Sequence, residues 1–261
     1  MLIDAHCHID DEKIKDKQDE IISLLDSYGI ECIINSASDI KSSYDAVELS
    51  QKYSKVFATV GVHPHCAFDY RYGEDEKILA ELYGWKKTVA IGEIGLDYHY
   101  DFSPRDIQRK VFERQIAFAS ELNAPIVLHV REAYGEAVDI LKRNRSKLSN
   151  GVLLHCYASS AEMVKVFNDF DCYYSFGGAV TFKGAKKAEV LRAVPTDRLL
   201  LETDSPYMSP VPFRGQNNYP YRVKTVAEFI SNELGVDFET LCLQTTLNAK
   251  RFYRLDGYDS I

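Results

Sequence analysis

A (β/α)8 TIM barrel is the fold class the sequence predicts, and three features predict it. Eight short runs rich in Val, Ile and Leu recur along the chain, and amphipathic helix-like stretches separate them. Polar residues of metal-binding type gather where those runs end. Near-continuous apolar strands alternating with helices indicate parallel strands covered by helices. Eight such units in about 250 residues match the barrel. A doubly wound open sheet is the rival, but no G-x-G-x-x-G follows the first run.

In chain order, LIDAH (2–6) is the first strand, and DEIISLLDSYG follows as a helix with Gly29 at a C-cap position. ECIINS (31–36) leads into the helix SYDAVELSQKYS. VFATVG (56–61) leads into DEKILAELYG, which Gly84 terminates. TVAIGE (88–93) is followed by RKVFERQIAFASELN, which ends at Asn123 with Pro125 close behind. PIVLHV (125–130), GVLLHC (151–156), CYYSFG (172–177) and LLLETD (199–204) complete the strands. AEMVKVFNDF and KTVAEFISNELG supply two more helices. With no low-complexity segment and no Pro/Gly/Ser-rich linker, residues 1–261 read as one domain.

Composition narrows the function. The chain is 46% hydrophobic and 27% charged, as expected of a globular protein with a large core. No run approaches the ~18 apolar residues of a membrane span, and no secretory signal pattern opens the chain, so a cytoplasmic protein is expected. The six cysteines are scattered without a C-x-x-C pair, which favours buried free thiols over a zinc ribbon or redox motif. A net charge of −8 argues against a general nucleic-acid coater, though not against an enzyme gripping phosphate locally. Nothing in the chain implies an obligate protein partner.

The strand ends carry the chemistry. In a barrel of this class functional groups gather at the C-terminal ends of the strands. His6 and His8 end the first strand, two apart and so on one face. Glu93 ends the fourth, His129 the fifth, His155 the sixth and Asp204 the eighth, while His63 and His65 follow the third in GVHPH. One histidine in an apolar strand is commonly a hydrogen-bonded core residue. A whole set at one edge is not explained that way. Imidazoles with carboxylates suit Zn²⁺, Mn²⁺ or Fe²⁺, and Mg²⁺ where oxygens dominate. Two divalent metal ions are therefore expected, with His6, His8, Glu93 and Asp204 on one and Glu93, His129 and His155 on the other. Asp204 takes the proton of an attacking water and Glu93 bridges. His99 receives no role.

These residues lie in segments that resemble a known family. MLIDAHCHID, GVHPH, AIGEIGLDYHY, PIVLHVREA, VLLHCYAS, YSFGGAVTFKGAKKAEVLRAVPTDRLLLETDSPYMSPVPFRG and TLNAKRFY are similar, in order, to the signatures of the TatD-type metal-dependent hydrolases of the amidohydrolase superfamily. The resemblance implies a dinuclear metal site on His6, His8, Glu93, His129, His155 and Asp204, with glutamate bridging. It also implies metal-dependent deoxyribonuclease activity, as a 3′-to-5′ exonuclease with DNA as substrate. Matching positions suggest substrate contacts at His63, His65 and Arg131, with Glu202 either backing the metal ligands or holding a further ion. Arg214, Lys183, Arg105 and Tyr157 are further candidates for contacting a single strand, and Asp97 reads as structural. The stretch GQNNYPYR departs from the family pattern at Gln216 and Tyr219, which bears on substrate choice. Alternatives are a small-molecule hydrolase using the same metals, or a binding barrel without chemistry; the intact ligand set weighs against the latter.

Overall fold

The computed structural model describes residues 1–183 and 187–255. Strands β1 (Leu2–Cys7), β2 (Ile30–Ser36), β3 (Val56–Val60), β4 (Thr88–Asp97), β5 (Ile126–Arg131), β6 (Val152–Leu154), β7 (Tyr173–Phe176) and β8 (Leu199–Leu201) form one parallel sheet in sequence order. Among the described residues the connecting helices are α1 (Gln18–Leu24), α2 (Ile40–Lys52), α3 (Asp75–Tyr83), α4 (Arg105–Glu121), α5 (Tyr134–Arg143), α6 (Ala161–Asn168), α7 (Lys187–Ala193) and α8 (Val223–Leu234), with α9 (Phe238–Tyr253) after them. This is the expected (β/α)8 barrel.

Two apolar layers hold it together. Every strand sends a side chain inward, among them Ile3, Ala5, Ile34, Phe57, Val127, Leu153, Tyr173 and Leu200. The C-terminal end of α9 closes the base of this interior with Phe252 and Tyr253, joined by Leu255 just beyond, and Tyr253 Oη donates to the Ala5 carbonyl at 2.8 Å. Outward-facing strand residues such as Ile33, Ala58, Leu128 and Tyr174 pack instead against the helices.

No regular ladder joins β8 to β1 among the described residues. A seam of other bonds does so. Buried Asp4 accepts from Thr203 N at 2.8 Å and from Thr203 Oγ1 at 2.6 Å. Above it, Asp204 N donates to His6 O at 3.0 Å and His8 N donates to Ser205 O at 2.7 Å.

Two irregularities aim the future site. Between Asp4 and Cys7, β1 advances three residues while β2 advances two, from Ile33 to Asn35. Likewise β4 runs from Ile91 to Ile94 while β5 runs from Ile126 to Leu128. Each is a bulge that re-aims side chains. Strict alternation would place Cys7 inward with Ile3 and Ala5. The bulge reverses the phase, so Cys7 joins the outer layer and His6 and His8 turn in.

Strand limits differ from expectation. β4 continues to Asp97, so Glu93 lies mid-strand, while β6 and β8 stop at Leu154 and Leu201, leaving His155 and Asp204 in the loops just beyond. Helices α5, α7 and α9 were not among those expected. α5 begins after Ala133 with no side-chain cap, so its start carries no signal. No helix among the described residues is long and apolar enough to cross a membrane.

Candidate metal centre

Glu93 is the pivot. Its carboxylate is 3% exposed and sits on the β4 bulge, where its N–H donates to the Ala37 carbonyl at 2.9 Å. Two positions along, Gly95 (φ +142°) lies so close to β5 that a Cβ there would stand 2.0 Å from His129 O. Glycine is required to bring the two strands together at this level.

One donor set surrounds Oε1 of Glu93. His6 Nε2 lies 3.2 Å from it and His8 Nε2 3.3 Å, while Asp204 Oδ1 is 3.4 Å from His8 Nε2. A second set surrounds Oε2, with His155 Nε2 at 3.0 Å and His129 Nδ1 at 3.6 Å. Glu93 thus faces each set with a different oxygen. The structure brings together all six residues expected to ligate metal, and its donor atoms converge in three groups: His6, His8 and Glu93; His6, His155 and Glu202; and His63, Glu93 and His129.

Hydrogen bonds orient the rings. His8 Nδ1 donates to the Ser36 carbonyl at 2.7 Å, leaving the Nε2 lone pair to face Glu93. His6 Nδ1 bonds Ser36 Oγ at 3.1 Å. His129 Nε2 donates to Asp97 Oδ2 at 3.0 Å, which leaves Nδ1 unprotonated and directed inward. Asp97, read from the sequence as structural, therefore fixes the tautomer of a candidate ligand. Alternation from Glu93 through Gly95 places Asp97 on the same strand face, and that was the available signal.

The donor set fits divalent cations. Nε2 of His6 is fully buried without a hydrogen-bond partner, and Nδ1 of His129 and Nε2 of His155 converge to 3.1 Å. One of these two rings can donate to the other, so the orphaned His6 nitrogen is the donor that most calls for a cation. The carboxylates also draw positive charge into the cluster, and a bound metal would displace the proton they hold on His8. Burial opposes charge on His8, yet Asp204 and Glu93 outweigh it and lift the imidazole to about 10. Burial likewise opposes ionisation of Glu93, but His6 and His155 hold its carboxyl well below the usual range. Three further contacts come from the wall. His63, buried, caps its loop by accepting from His65 N at 3.1 Å and points Nε2 toward Glu93 Oε2 at 3.9 Å. His65 Nε2 donates to Asp97 Oδ2 at 2.9 Å.

The other substrate candidates divide. Arg131 is exposed at the mouth, its guanidinium 4.8 Å from the Tyr100 ring centroid. Glu202 is fully buried behind His155, with Oε1 3.8 Å from His155 Nδ1 and Oε2 accepting from Ser175, and with His6 and His155 it forms a donor group close enough to hold an ion. Arg214 stacks on Phe182 at 3.7 Å, and Lys183 is exposed beside it in sequence. Arg105 is paired with Asp101 at 2.6 Å. Tyr157 is 6% exposed and packed among aromatic neighbours, its Oη donating to Ser160 O, so it is a core residue and offers no stacking face. Gln216 and Tyr219 make contacts within the fold, Gln216 Oε1 accepting from Arg222 and Tyr219 Oη from Lys17. A cavity of about 500 Å³ lies at the opposite end of the barrel, lined in part by Arg145, Tyr173 and Arg251, and contains none of these donors.

A family model described as TatD related DNase matches residues 3–254. The uncharacterized metal-dependent hydrolase YabD of Bacillus subtilis is 42% identical over 257 residues, covering 98% of this chain and 100% of its own. The 3′-5′ ssDNA/RNA exonuclease TatD of Shigella flexneri is 30% identical over 245 residues, covering 92% and 93%. The crystal structure of the TatD homolog YJJV from Escherichia coli matches with a TM-score of 0.90 at 24% identity, covering 97% of this chain and 98% of that one, a likeness of fold. Matched almost end to end, and with a His/carboxylate cluster at the strand ends where such an enzyme needs it, the chain belongs to the TatD family of metal-dependent hydrolases.

Proposed function

We propose that this hydrolase is a deoxyribonuclease that removes nucleotides from the 3′ end of single-stranded DNA. The observation that carries the reading is the division of the Glu93 carboxylate between two converging donor sets. His6, His8, Glu93 and Asp204 would hold one divalent ion, and Glu93, His129 and His155 the other. Such a pair supplies an acidified water and neutralises charge on the attacked phosphate.

The chain's own groups do the rest. Asp204 sits at the open side of the cluster, its carboxyl held below the usual range because His8 and His155 outweigh the effect of burial. It is ionised at neutral pH and placed to accept a proton from the water that attacks phosphorus. Asp97 keeps His129 in its productive orientation, and Glu202 adds negative charge behind His155. Arg131, free at the mouth, binds a non-bridging phosphate oxygen or the next phosphate along. The name of the Shigella relative supports a nucleic-acid substrate.

Digestion of end-labelled oligonucleotides tests this. With Mg²⁺, Mn²⁺ or Zn²⁺ added, a 5′-labelled single strand should yield a ladder of progressively shorter products. The matching 3′-labelled strand should release labelled mononucleotide at once, and EDTA should stop both. Intact DNA alongside hydrolysis of a small ester or amide would replace this reading with a small-molecule hydrolase.

A further inference from the structure

The loop DYHYDF between β4 and α4 presents two aromatic rings to solvent beside the second donor set. Tyr100 is 48% exposed and Phe102 68%, and the rings stack at 5.3 Å with an interplanar angle of 23°. Their exposure does not come from a loose backbone. Asp97 Oδ1 accepts from the N–H groups of His99 and Tyr100 at 3.0 and 2.9 Å. Ser103 Oγ donates to His65 O at 2.8 Å, and Gln108 Nε2 donates to Ser103 O at 2.8 Å. A loop pinned at both ends holds two large apolar faces in water, the mark of a ligand surface.

The position of these rings defines the ligand. The His65 ring lies 5.4 Å from Tyr100 and 4.8 Å from Phe102, edge-on to both, and 6.1 Å from the His129 ring. One imidazole therefore separates the aromatic pair from the second donor set, and His65 and His129 share Asp97 Oδ2. On Tyr100 rests the Arg131 guanidinium. It has no carboxylate partner among the described residues, because Glu132 pairs with His99 at 2.8 Å and Glu136 with Arg109 at 3.2 Å. An unpaired cation and a flat apolar face, side by side at a site that cleaves phosphodiesters, match a phosphate and the base attached to it.

Resting on the nuclease reading, we propose that Tyr100 and Phe102 form a nucleobase platform for the nucleotide adjoining the scissile phosphate, with Arg131 on that nucleotide's phosphate. Stacking accepts any base, since every base has a π-face, and aromatic–base stacking is typically worth a factor of roughly 5 to 150 per base. The platform thus makes the enzyme sensitive to the presence of a terminal base and tolerant of its identity.

The test uses the full-length, metal-loaded protein and two 5′-labelled single strands. They are identical except that one carries tetrahydrofuran abasic residues at its last two 3′ positions. Wild type should prefer the base-bearing end by about tenfold or more in kcat/KM. In Y100A/F102A that preference should collapse toward one, with the loss on the base-bearing strand falling mainly in KM. Placing tryptophan at position 102 in the Y100A background (Y100A/F102W) should restore it. Both side chains are exposed, and an unchanged melting temperature and metal content would verify that the variants are folded. A double variant that keeps the wild-type preference, or a wild type with none, overturns the platform. A wild type that leaves both strands intact overturns the nuclease reading and the platform with it.

Discussion

At the scale of single residues, the site depends on which nitrogen of each ring is left free. Asp97 settles this for His129, accepting from its Nε2 and from His65 Nε2 on one oxygen while its other oxygen ties down the loop. Asp97→Asn removes the charge and puts a competing donor into the carboxylate's position. Loss of such an orienting carboxylate typically costs 10–100-fold in metal affinity. Titration of metal-free D97N with Zn²⁺ or Mn²⁺ should therefore show affinity weakened by about that factor at one class of site. Unchanged affinity would make Asp97 a structural residue only. The six candidate ligands were legible because their types are rare in apolar strands and recur at one edge. Asp97 was not, because an aspartate at a strand end has many bland explanations. Tyr157 was misread because its burial arises from Tyr134, Tyr174 and Phe176, remote in sequence.

At the scale of elements, β1 and β4 reach their function by breaking the strand rule beside the site. The pairing of His6 with His8 on one face followed from alternation alone. That this face is the inner one followed from the bulge, which depends on the register against β2 and leaves no local mark. The β4 bulge, with Gly95 beside it, does the same for Glu93. The foot of β4 carries a separate strain. Lys87 is 6% exposed there and donates to the carbonyls of Ser50 and Tyr53, yet burial pushes its ammonium down to about 8. In the unfolded chain a lysine titrates near ~10.4. Between those values the unfolded state binds more protons than the folded one, so this group's contribution to stability rises as pH increases. Its cost is greatest at and below about pH 8. Denaturant unfolding of wild type and K87M at pH 7.5 and 9.5 should show the wild type gaining on the variant at the higher pH. A difference that stays constant would contradict the assignment.

At the scale of the whole molecule, the barrel keeps its plug and its chemistry at opposite ends. Its base is plugged by Phe252 and Tyr253 of α9 and by Leu255 just beyond, while the seam bond of Asp4 to Thr203 lies directly below the donor cluster. The donor cluster occupies the other end. The eight repeating units were legible from hydrophobic pattern, whereas the plug was not, since it joins the last helix to the first strand through contacts such as Tyr253 with Ala5. With a net charge of −8, the protein has no general attraction for DNA, so the proposed substrate would be held by the metal centre, Arg131 and stacking. The proposed chemistry therefore depends on the two donor sets that share Glu93. Metal analysis of the purified protein, reconstituted with Mn²⁺ or Zn²⁺ and freed of excess by gel filtration, tests that most directly. Wild type should carry close to two ions per chain and H129A/H155A close to one, with the far-UV circular dichroism of the two alike. A double variant with undiminished metal content, or a wild type that never exceeds one ion, would contradict it.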